Sequence, residues 1–202
     1  MVWGLIARAW WDRLWGQLKP GPYPFAHAAL LESRLRQIFD NPRRVLDASD
    51  LKPGQRVLEI GPGTGYYSVE VARRIGRWGR LTCLDIQREM LRETRRRLHA
   101  GDSGGAQFVQ GGAEHLPFAS ASFDHAILVG VLGEIPDRSR ALQEIRRVLR
   151  PGGRLSVSEI LPDPDFIPLG TLRRQLRATG FAEEASHRHF LLAYSSTWRI
   201  GK

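Results

Sequence analysis

The chain has 202 residues, 42% of them hydrophobic and 25% charged, a composition typical of one globular domain with a short extension. Its single cysteine, Cys83, excludes an intramolecular disulfide and a cysteine-rich metal cluster, and we predict no metal site. The net charge of +9 would suit a nucleic acid or an anionic membrane. However, the arginines are spread along the whole chain, and this spread disfavours nucleic acid as a partner.

The N-terminal segment is predicted to form two amphipathic helices, over residues 2–18 and 26–39. The first helix carries four tryptophans, which are Trp3, Trp10, Trp11 and Trp15. This composition suits docking on the domain or on a partner, a peripheral membrane contact through residues 2–18, or a lid over a substrate. No stretch reaches the roughly 18 apolar residues that cross a bilayer. We therefore expect a cytoplasmic protein and leave membrane association open.

Asn41-Pro42 is interpreted as the end of the second helix. We accordingly divide the chain into an N-terminal helical segment, residues 1–45, and a main domain, residues 46–202.

Strands and helices are predicted to alternate through the main domain. The strands are expected over residues 56–60, 81–85, 106–110, 124–129 and 154–160, and the helices over residues 65–75, 88–99, 139–149 and 169–179. Two closing strands, 181–186 and 189–195, flank a tight turn at His187-Arg188. Because a parallel crossover needs about a dozen residues, these two strands must pair antiparallel. The alternation predicts an α/β fold with a mostly parallel sheet and helices on both faces.

The first predicted strand runs directly into a glycine-rich turn, Glu59-Ile60-Gly61-Pro62-Gly63-Thr64-Gly65. Glycines allow a sharp turn and a close approach of a ligand to the backbone. A dinucleotide fingerprint would need its third glycine at Tyr66, and the Gly-Lys-Ser/Thr of a P-loop is absent. The helix is expected to begin near Gly65, so that its free N–H groups face the site.

Three further elements follow at regular intervals. Asp85 ends the second strand, where a carboxylate can accept hydrogen bonds from two ribose hydroxyls or cap the next helix. Gly112-Ala113-Glu114 follow the third strand. Ser122-Phe123-Asp124 lead into the fourth strand, which ends in the loop that starts at Gly130.

With Val148-Leu149-Arg150-Pro151-Gly152-Gly153, these motifs resemble the class I S-adenosylmethionine-dependent methyltransferases. They are most similar to the subgroup of quinone and small-molecule methyltransferases, methyltransferase domain type 11, over about residues 50–195. The resemblance implies a Rossmann-like, seven-stranded sheet in the order 3-2-1-4-5-7-6, with the last strand antiparallel. It also implies S-adenosylmethionine as cofactor and methyl transfer to a small-molecule acceptor by in-line displacement.

The resemblance further implies which residues bind the cofactor. In this assignment the glycine turn lines the methionine part, Glu59 orients the turn or the amino group, and Asp85 holds the ribose. The full set is Glu59, Gly61, Pro62, Gly63, Gly65, Asp85, Ile86, Gly112, Ala113, Glu114, Val129 and Gly130. Ile86 would pack on the adenine, and Val129 and Gly130 would close under the sulfur.

Two positions depart from the family pattern. Relatives often have an aspartate where Gly112 stands, and its task of bonding the adenine amino group is either weakened or passed to Glu114. Many relatives carry a histidine where Gly133 stands, so no base is evident there. Methyl transfer mainly needs alignment of nucleophile, methyl and sulfur, and a base matters only when the acceptor loses a proton. The base candidates are Glu134, Glu159 and His27, and no catalytic residue is assigned.

The acceptor is the least defined part of the prediction. No large insertion follows the fifth strand, so residues 1–45 are expected to roof the acceptor pocket, or the pocket is open. Tyr23, Phe25 and His27 lie in that segment, whose apolar character favours a quinone- or lipid-like acceptor. Two rivals are an RNA methyltransferase that uses the arginine surface and a methyltransferase-like binding module without turnover. The sequence indicates no oligomeric state.

Overall fold

A computed structural model describes most of the main domain, over residues 41–100, 105–160, 163, 165–189 and 193–201. The two helices predicted for residues 2–18 and 26–39, and with them Tyr23, Phe25 and His27, lie outside the described residues. The division of the chain at residue 45 stays a prediction. Within the described ranges, no helix is both long enough and apolar enough to cross a bilayer.

A single seven-stranded sheet organises the domain in the order β3-β2-β1-β4-β5-β7-β6. The strands are β1 Arg56–Ile60, β2 Arg80–Asp85, β3 Gln107–Gln110, β4 Phe123–Val129, β5 Leu149–Ile160, β6 Phe181–His189 and β7 Ala193–Ile200. The first five strands pair in parallel, whereas β7 is antiparallel to both of its neighbours. The predicted Rossmann-like sheet and its strand order are therefore confirmed.

Among the described residues, five α-helices cover the two faces of the sheet. They are α1 Pro42–Asp47, α2 Ser68–Ile75, α3 Arg88–Ala100, α4 Arg138–Val148 and α5 Leu169–Ala178. One core cluster joins α4 and α5 to the sheet through residues such as Leu128, and the other joins α1, α2 and α3 through residues such as Ile127. Because neighbouring residues of one strand enter different clusters, both faces are buried, as expected for parallel strands.

Asn41-Pro42 begin α1, a helix that was not predicted, whereas the helix that they were expected to end, over residues 26–39, lies outside the described residues. The Asn41 side chain accepts a hydrogen bond of 2.9 Å from the Arg43 N–H, and Pro42 occupies the first helical turn. Proline is favoured there because its fixed φ suits the helix and its missing N–H would have no helical partner.

Two other boundaries also differ from prediction. Helix α2 begins at Ser68 rather than near Gly65, because Gly65 has a φ of +81° and closes a turn back to the Pro62 carbonyl at 3.0 Å. The turn predicted at His187-Arg188 is wrong, since both residues lie in β6 and pair with β7. This edge strand is largely polar, so its far end lacks the apolar alternation that marks a strand.

A buried polar row ties the end of α1 to the sheet. His125 Nε2 lies 2.8 Å from the Ser156 hydroxyl, which lies 2.9 Å from the Thr197 hydroxyl. Thr197 in turn donates to the Ala48 carbonyl at 2.7 Å. His125 is fully buried, and this burial lowers its pKa to about 3. We call these residues the inner row; it ends on a backbone carbonyl.

Candidate cofactor site

The glycine turn lies at the carboxyl end of β1, and three of its residues have backbones that favour glycine. Gly61, Gly63 and Gly65 have φ values of +66°, +58° and +81°. A Cβ on Gly61 would lie 2.5 Å from a methyl group of Val131, and a Cβ on Gly65 would lie 3.0 Å from Thr94 Cα. A Cβ on Gly63 would have no atom within 4 Å. The turn is therefore packed on two sides and borders open space at Gly63.

Thr94 on α3 fixes the open part of the turn from behind. Its hydroxyl donates a hydrogen bond of 2.8 Å to the Gly63 carbonyl, although the two residues are 31 positions apart. No sequence motif marks Thr94 as a site residue, because an inward threonine on a helix looks like any core position.

Asp85 meets the glycine turn at the same edge of the sheet. Its carboxylate accepts a hydrogen bond of 2.9 Å from the Gln87 N–H, and the N–H groups of Gly63 and Ile86 lie close enough to lower its pKa. The Gly61 N–H also donates to the Leu84 carbonyl at 2.8 Å. Burial raises the pKa of Asp85, and the three N–H groups oppose that rise. The acidic side chain and the turn therefore form one continuous site.

Ile86 follows Asp85 and exposes 54% of its surface, although most large apolar residues of the described chain are buried. Its carbonyl accepts a hydrogen bond of 3.1 Å from the Gln110 side chain, and the Asp85 carbonyl accepts one of 3.0 Å from the Gly111 N–H. These bonds hold the ends of β2 and β3 together and leave an apolar side chain beside the carboxylate.

Glu114 occupies the space that a side chain at position 112 would take. A Cβ on Gly112 would lie 3.1 Å from Glu114 Oε2, while the intervening Ala113 is 5% exposed. A carboxylate therefore stands beside the backbone of Gly112 even though residue 112 has no side chain. This placement supports the idea that Glu114 takes over the task of the missing aspartate.

Glu59 lies beneath the turn and is only 3% exposed. Burial raises its pKa to about 7, and the neighbouring charge of Asp85 adds to the rise. The Cys83 thiol lies 3.8 Å from Glu59 Oε2 on the adjacent strand. Near neutral pH this carboxyl group is therefore divided between its two protonation states.

The loop after β4 is covered by the connection between β5 and α5, residues 163 and 165–168, which we call the strap. A Cβ on Gly133 would lie 1.9 Å from the Asp165 carbonyl oxygen, so no side chain fits there. In this protein the strap therefore leaves no room for the histidine that the resemblance would place there. The expectation that residues 1–45 roof the acceptor pocket, or that the pocket is open, stays a prediction.

At Gly130 the strap comes closest to the residues predicted to close under the sulfur. Gly130 has a φ of +63°, and its N–H donates to the Ser158 carbonyl at 2.8 Å. An Asp163 carboxylate oxygen lies 3.8 Å from the position of a Gly130 Cβ. Val129 is half-buried at the end of β4.

Of the three candidate bases, Glu159 has the most unusual surroundings. It is 2% exposed, and no described group hydrogen-bonds its Oε1. Burial raises its pKa to about 8; the charges of Asp163 and Glu134 add to the rise, and the Ile167 N–H opposes it. Glu134 thus lies in the same region, at the ends of β4 and β5, whereas His27 lies outside the described residues.

Comparison with known proteins identifies the family. Residues 58–157 match the methyltransferase domain family. The chain is 39% identical over 131 residues to the ubiquinone/menaquinone biosynthesis C-methyltransferase UbiE of Haemophilus ducreyi, a match that covers 64% of this chain and 50% of that protein. The chain belongs to this methyltransferase family. It spans about half the length of the curated relatives it matches.

Solved structures agree with the fold of a methyltransferase. A S-adenosylmethionine-dependent methyltransferase from Aquifex aeolicus superposes with a TM-score of 0.82 at 18% identity, covering 89% of this chain and 100% of that one. The [4+2]-cyclase SpnF superposes with a TM-score of 0.71 at 20% identity, covering 79% of each chain. The predicted class I methyltransferase family and its S-adenosylmethionine cofactor are thus confirmed, whereas the individual site residues stay predictions. A fold shared with a cyclase does not by itself define the reaction.

Proposed function

We propose that this methyltransferase binds S-adenosylmethionine across the carboxyl ends of β1, β2 and β3 and methylates a small, hydrophobic acceptor beyond β4 and β5. The observation that carries the proposal is the meeting of the glycine turn with the end of β2, where the Gly61 N–H donates to the Leu84 carbonyl at 2.8 Å directly before Asp85. This contact supports a site in which a nucleoside would reach both the turn and Asp85.

The residues around this site suit each part of the cofactor. Asp85 would accept hydrogen bonds from the ribose hydroxyls, and exposed Ile86 would pack against the adenine ring. Glu114 would accept a hydrogen bond from the adenine amino group. Glu59 and the open side of Gly63 would face the methionine part, whose ammonium group favours a carboxylate.

We propose an acceptor of the quinone type, because the matched relatives act in ubiquinone and menaquinone biosynthesis. Phe166 and Ile167 of the strap pack against Tyr194 and the core, so the strap is anchored by apolar contacts beside the end of β5. A lipid-like acceptor is the neighbouring alternative. Peripheral membrane contact through residues 2–18 and the cellular location remain predictions.

The arginine surface gives little support to RNA as the substrate. Several arginines form intramolecular ion pairs, such as Arg147 with Glu144 at 2.7 Å and Arg173 with Glu183 at 2.7 Å. Arg74 likewise contacts Glu70 at 2.8 Å. These arginines therefore have partners within the domain.

Calorimetric titration of S-adenosylhomocysteine into wild type and Asp85→Asn tests cofactor binding. A hydrogen bond to a charged group contributes about 1.5–3 kcal/mol, so we expect affinity to fall roughly 10–100-fold. Glu93→Gln is the matched control, because Glu93 pairs with Arg96 on the exposed side of α3 and its loss should leave affinity unchanged. Equal affinities of wild type and Asp85→Asn would contradict the proposed site.

Methyl transfer is then measured with a soluble naphthoquinol and labelled S-adenosylmethionine. Turnover by the wild type would support the enzyme. Tight binding of S-adenosylhomocysteine without methyl transfer to any quinol, lipid or RNA substrate would instead favour the binding module.

A further inference from the structure

A second polar row lies on the same face of the sheet as the inner row, but at its carboxyl edge. Ser158 donates a hydrogen bond of 2.9 Å from its hydroxyl to the Ser195 hydroxyl. Ser195 Oγ lies 2.9 Å from His189 Nε2. Ser158 and Ser195 are 6% and 2% exposed, whereas His189 is half-buried. We call Ser158, Ser195 and His189 the edge row.

The edge row begins beside the residues that are predicted to close under the sulfur. Ser158 is paired in register with Val129, and its carbonyl accepts the Gly130 N–H at 2.8 Å. Paired residues of parallel strands point to the same face of a sheet, so Ser158 and Val129 are neighbours. Strand β6 runs parallel to β5, because both are antiparallel to β7, so His189 ends at the same edge.

The hydrogen bonds of the edge row have a direction. Ser158 gives its proton to the bond with Ser195, so the Ser195 proton remains available for His189 Nε2. A neutral imidazole accepts at one ring nitrogen and donates at the other. If His189 accepts at Nε2, a proton taken up by Ser158 can be passed along the row and held on the ring.

The inner row shows what a purely structural arrangement looks like in this protein. Its last acceptor is the Ala48 carbonyl, which cannot be protonated at physiological pH, and His125 is fully buried with a depressed pKa. The edge row ends instead on a half-buried imidazole at the edge where the acceptor is expected.

We propose that the edge row takes the hydroxyl proton of a hydroxylated aromatic acceptor, with Ser158 contacting the acceptor and His189 holding the proton through Ser195. This inference rests on the proposed function and sharpens it, because it requires a ring hydroxyl on the acceptor. Ser158 would be the catalytic residue, and Ser195 and His189 would act through it.

The chemistry balances with one proton leaving. Bound S-adenosylmethionine supplies a methyl group whose bond to sulfur breaks with the electron pair remaining on sulfur. The acceptor hydroxyl proton passes to Ser158, the Ser158 proton to Ser195, and the Ser195 proton to His189 Nε2, while the electron-rich ring carbon forms the new bond to the methyl group. The hydrogen on the methylated ring carbon then leaves as a proton and protonates the ring oxygen, which restores the hydroxyl group and the aromatic ring. His189 releases its proton to water.

The described surroundings of His189 include one other histidine on the same strand. His187 lies two residues earlier on β6 and is exposed, and β7 presents Ala193, Ser195 and Thr197 on this face. His125 lies on the same face but is hydrogen-bonded to Ser156 in the inner row. His187 therefore offers a matched control on the same strand.

Nitrogen NMR of the histidine rings tests the row without any activity measurement. In neutral His189 we expect an unprotonated Nε2, and Ser195→Ala should shift the His189 signals, whereas Ser195→Thr should largely preserve them. A neutral ring protonated at Nε2 would overturn the inference, because such a ring cannot accept the Ser195 proton.

Steady-state kinetics with a soluble naphthoquinol test the role in turnover. A general base contributes about 10²–10⁴-fold, so His189→Gln should lower kcat by roughly that factor and remove the fall in kcat at acid pH. Affinity for S-adenosylhomocysteine should not change, and Ser195→Thr should restore more activity than Ser195→Ala. His187→Gln should behave as wild type.

The outcomes separate this inference from the proposed function. If the wild type does not bind S-adenosylhomocysteine, the proposed function itself is contradicted. If the wild type turns over and His189→Gln has the same kcat at every pH, including the same fall at acid pH, only the inference about the edge row is overturned. Tight cofactor binding with methylation only of acceptors that lack a ring hydroxyl would show that the inferred acceptor class is wrong.

Discussion

The carboxyl edge of the sheet has two halves that are built from different materials. At the ends of β1, β2 and β3 the site is made of backbone: three glycines with positive φ and the N–H groups of Gly63, Ile86 and Gln87 around one carboxylate. At the ends of β4, β5 and β6 and the start of β7 it is made of side chains and a strap. Glu159 is buried there with one oxygen lacking a described partner, and Asp165 lies against Gly133.

The difference follows from what each half has to bind. A cofactor of fixed structure would suit a rigid backbone cradle with few degrees of freedom. Side chains on a strap can change to suit an acceptor without disturbing the cradle. We therefore expect substitutions in the cofactor half to act through shape, and those in the acceptor half to act through strap packing and protonation.

Gly133→Ala should give the largest loss of stability. Its Cβ would meet a backbone oxygen at 1.9 Å, and a backbone atom cannot move aside as a flexible side chain can. Overpacking of this kind costs typically about 1–3 kcal/mol, and we expect the upper end of that range in urea unfolding. Gly170→Ala is the control, because a Cβ there has no atom within 4 Å and alanine favours a helix. Unchanged stability of Gly133→Ala would mean that the strap is not fixed on the loop.

Gly61→Ala should have the next largest effect, and it tests the cofactor half. Its backbone has a φ of +66°, and the new Cβ would lie 2.5 Å from Val131. Strain at such a φ and displacement of Val131 together should cost about 2 kcal/mol. Gly54→Ala separates the two causes, since Gly54 has a φ of +83° but open space around it. Affinity for S-adenosylhomocysteine should fall in Gly61→Ala and not in Gly54→Ala. If both variants lose the same affinity and the same stability, the contact with Val131 has no role.

The two halves also differ in how well the sequence predicts them. The spacing of Gly61, Gly63 and Gly65 after a strand restricts the backbone, so the turn and its meeting with Asp85 follow from local rules. Contacts between distant residues have no such signal: neither Thr94 with Gly63 nor Gly133 with Asp165 can be inferred from spacing. The edge row was missed because serines at alternate positions of a strand resemble an ordinary solvated face.

Two features that the sequence did not predict, the start of α1 and the full length of β6, have a related cause. Asn41-Pro42 both interrupts one helical pattern and begins another, and local chemistry alone does not decide between these roles. The far end of β6 is polar because it is an edge strand, so only pairing with β7 shows that His187 and Arg188 are extended. In each case tertiary contacts, rather than propensity, determine the structure.

Glu159→Gln should remove a pH dependence of stability that belongs to the acceptor half. The pKa of Glu159 is raised to about 8 from an ordinary value of 4.5, so the native state binds the extra proton throughout that window. The free energy of unfolding of the wild type should therefore fall as pH rises from 4.5 to 8, by at most about 1.4 kcal/mol per pH unit. Urea unfolding across the window measures the slope. Glu59 contributes similarly in both proteins and cancels in their difference, so identical slopes would show that Glu159 is not held protonated.

Thr94→Val should have the smallest effect, and it tests whether the backbone cradle needs support from behind. Valine matches the shape of threonine but cannot donate the 2.8 Å hydrogen bond to the Gly63 carbonyl. Loss of one such bond costs about 1 kcal/mol, so S-adenosylhomocysteine should bind about fivefold more weakly by calorimetry. Thr94→Ser keeps the hydroxyl and should bind nearly as well as wild type. If Thr94→Val binds S-adenosylhomocysteine as tightly as the wild type, the three glycines with positive φ alone hold the turn in shape. If Thr94→Ser loses as much affinity as Thr94→Val, the supporting group is instead the threonine methyl group that packs against Gly65.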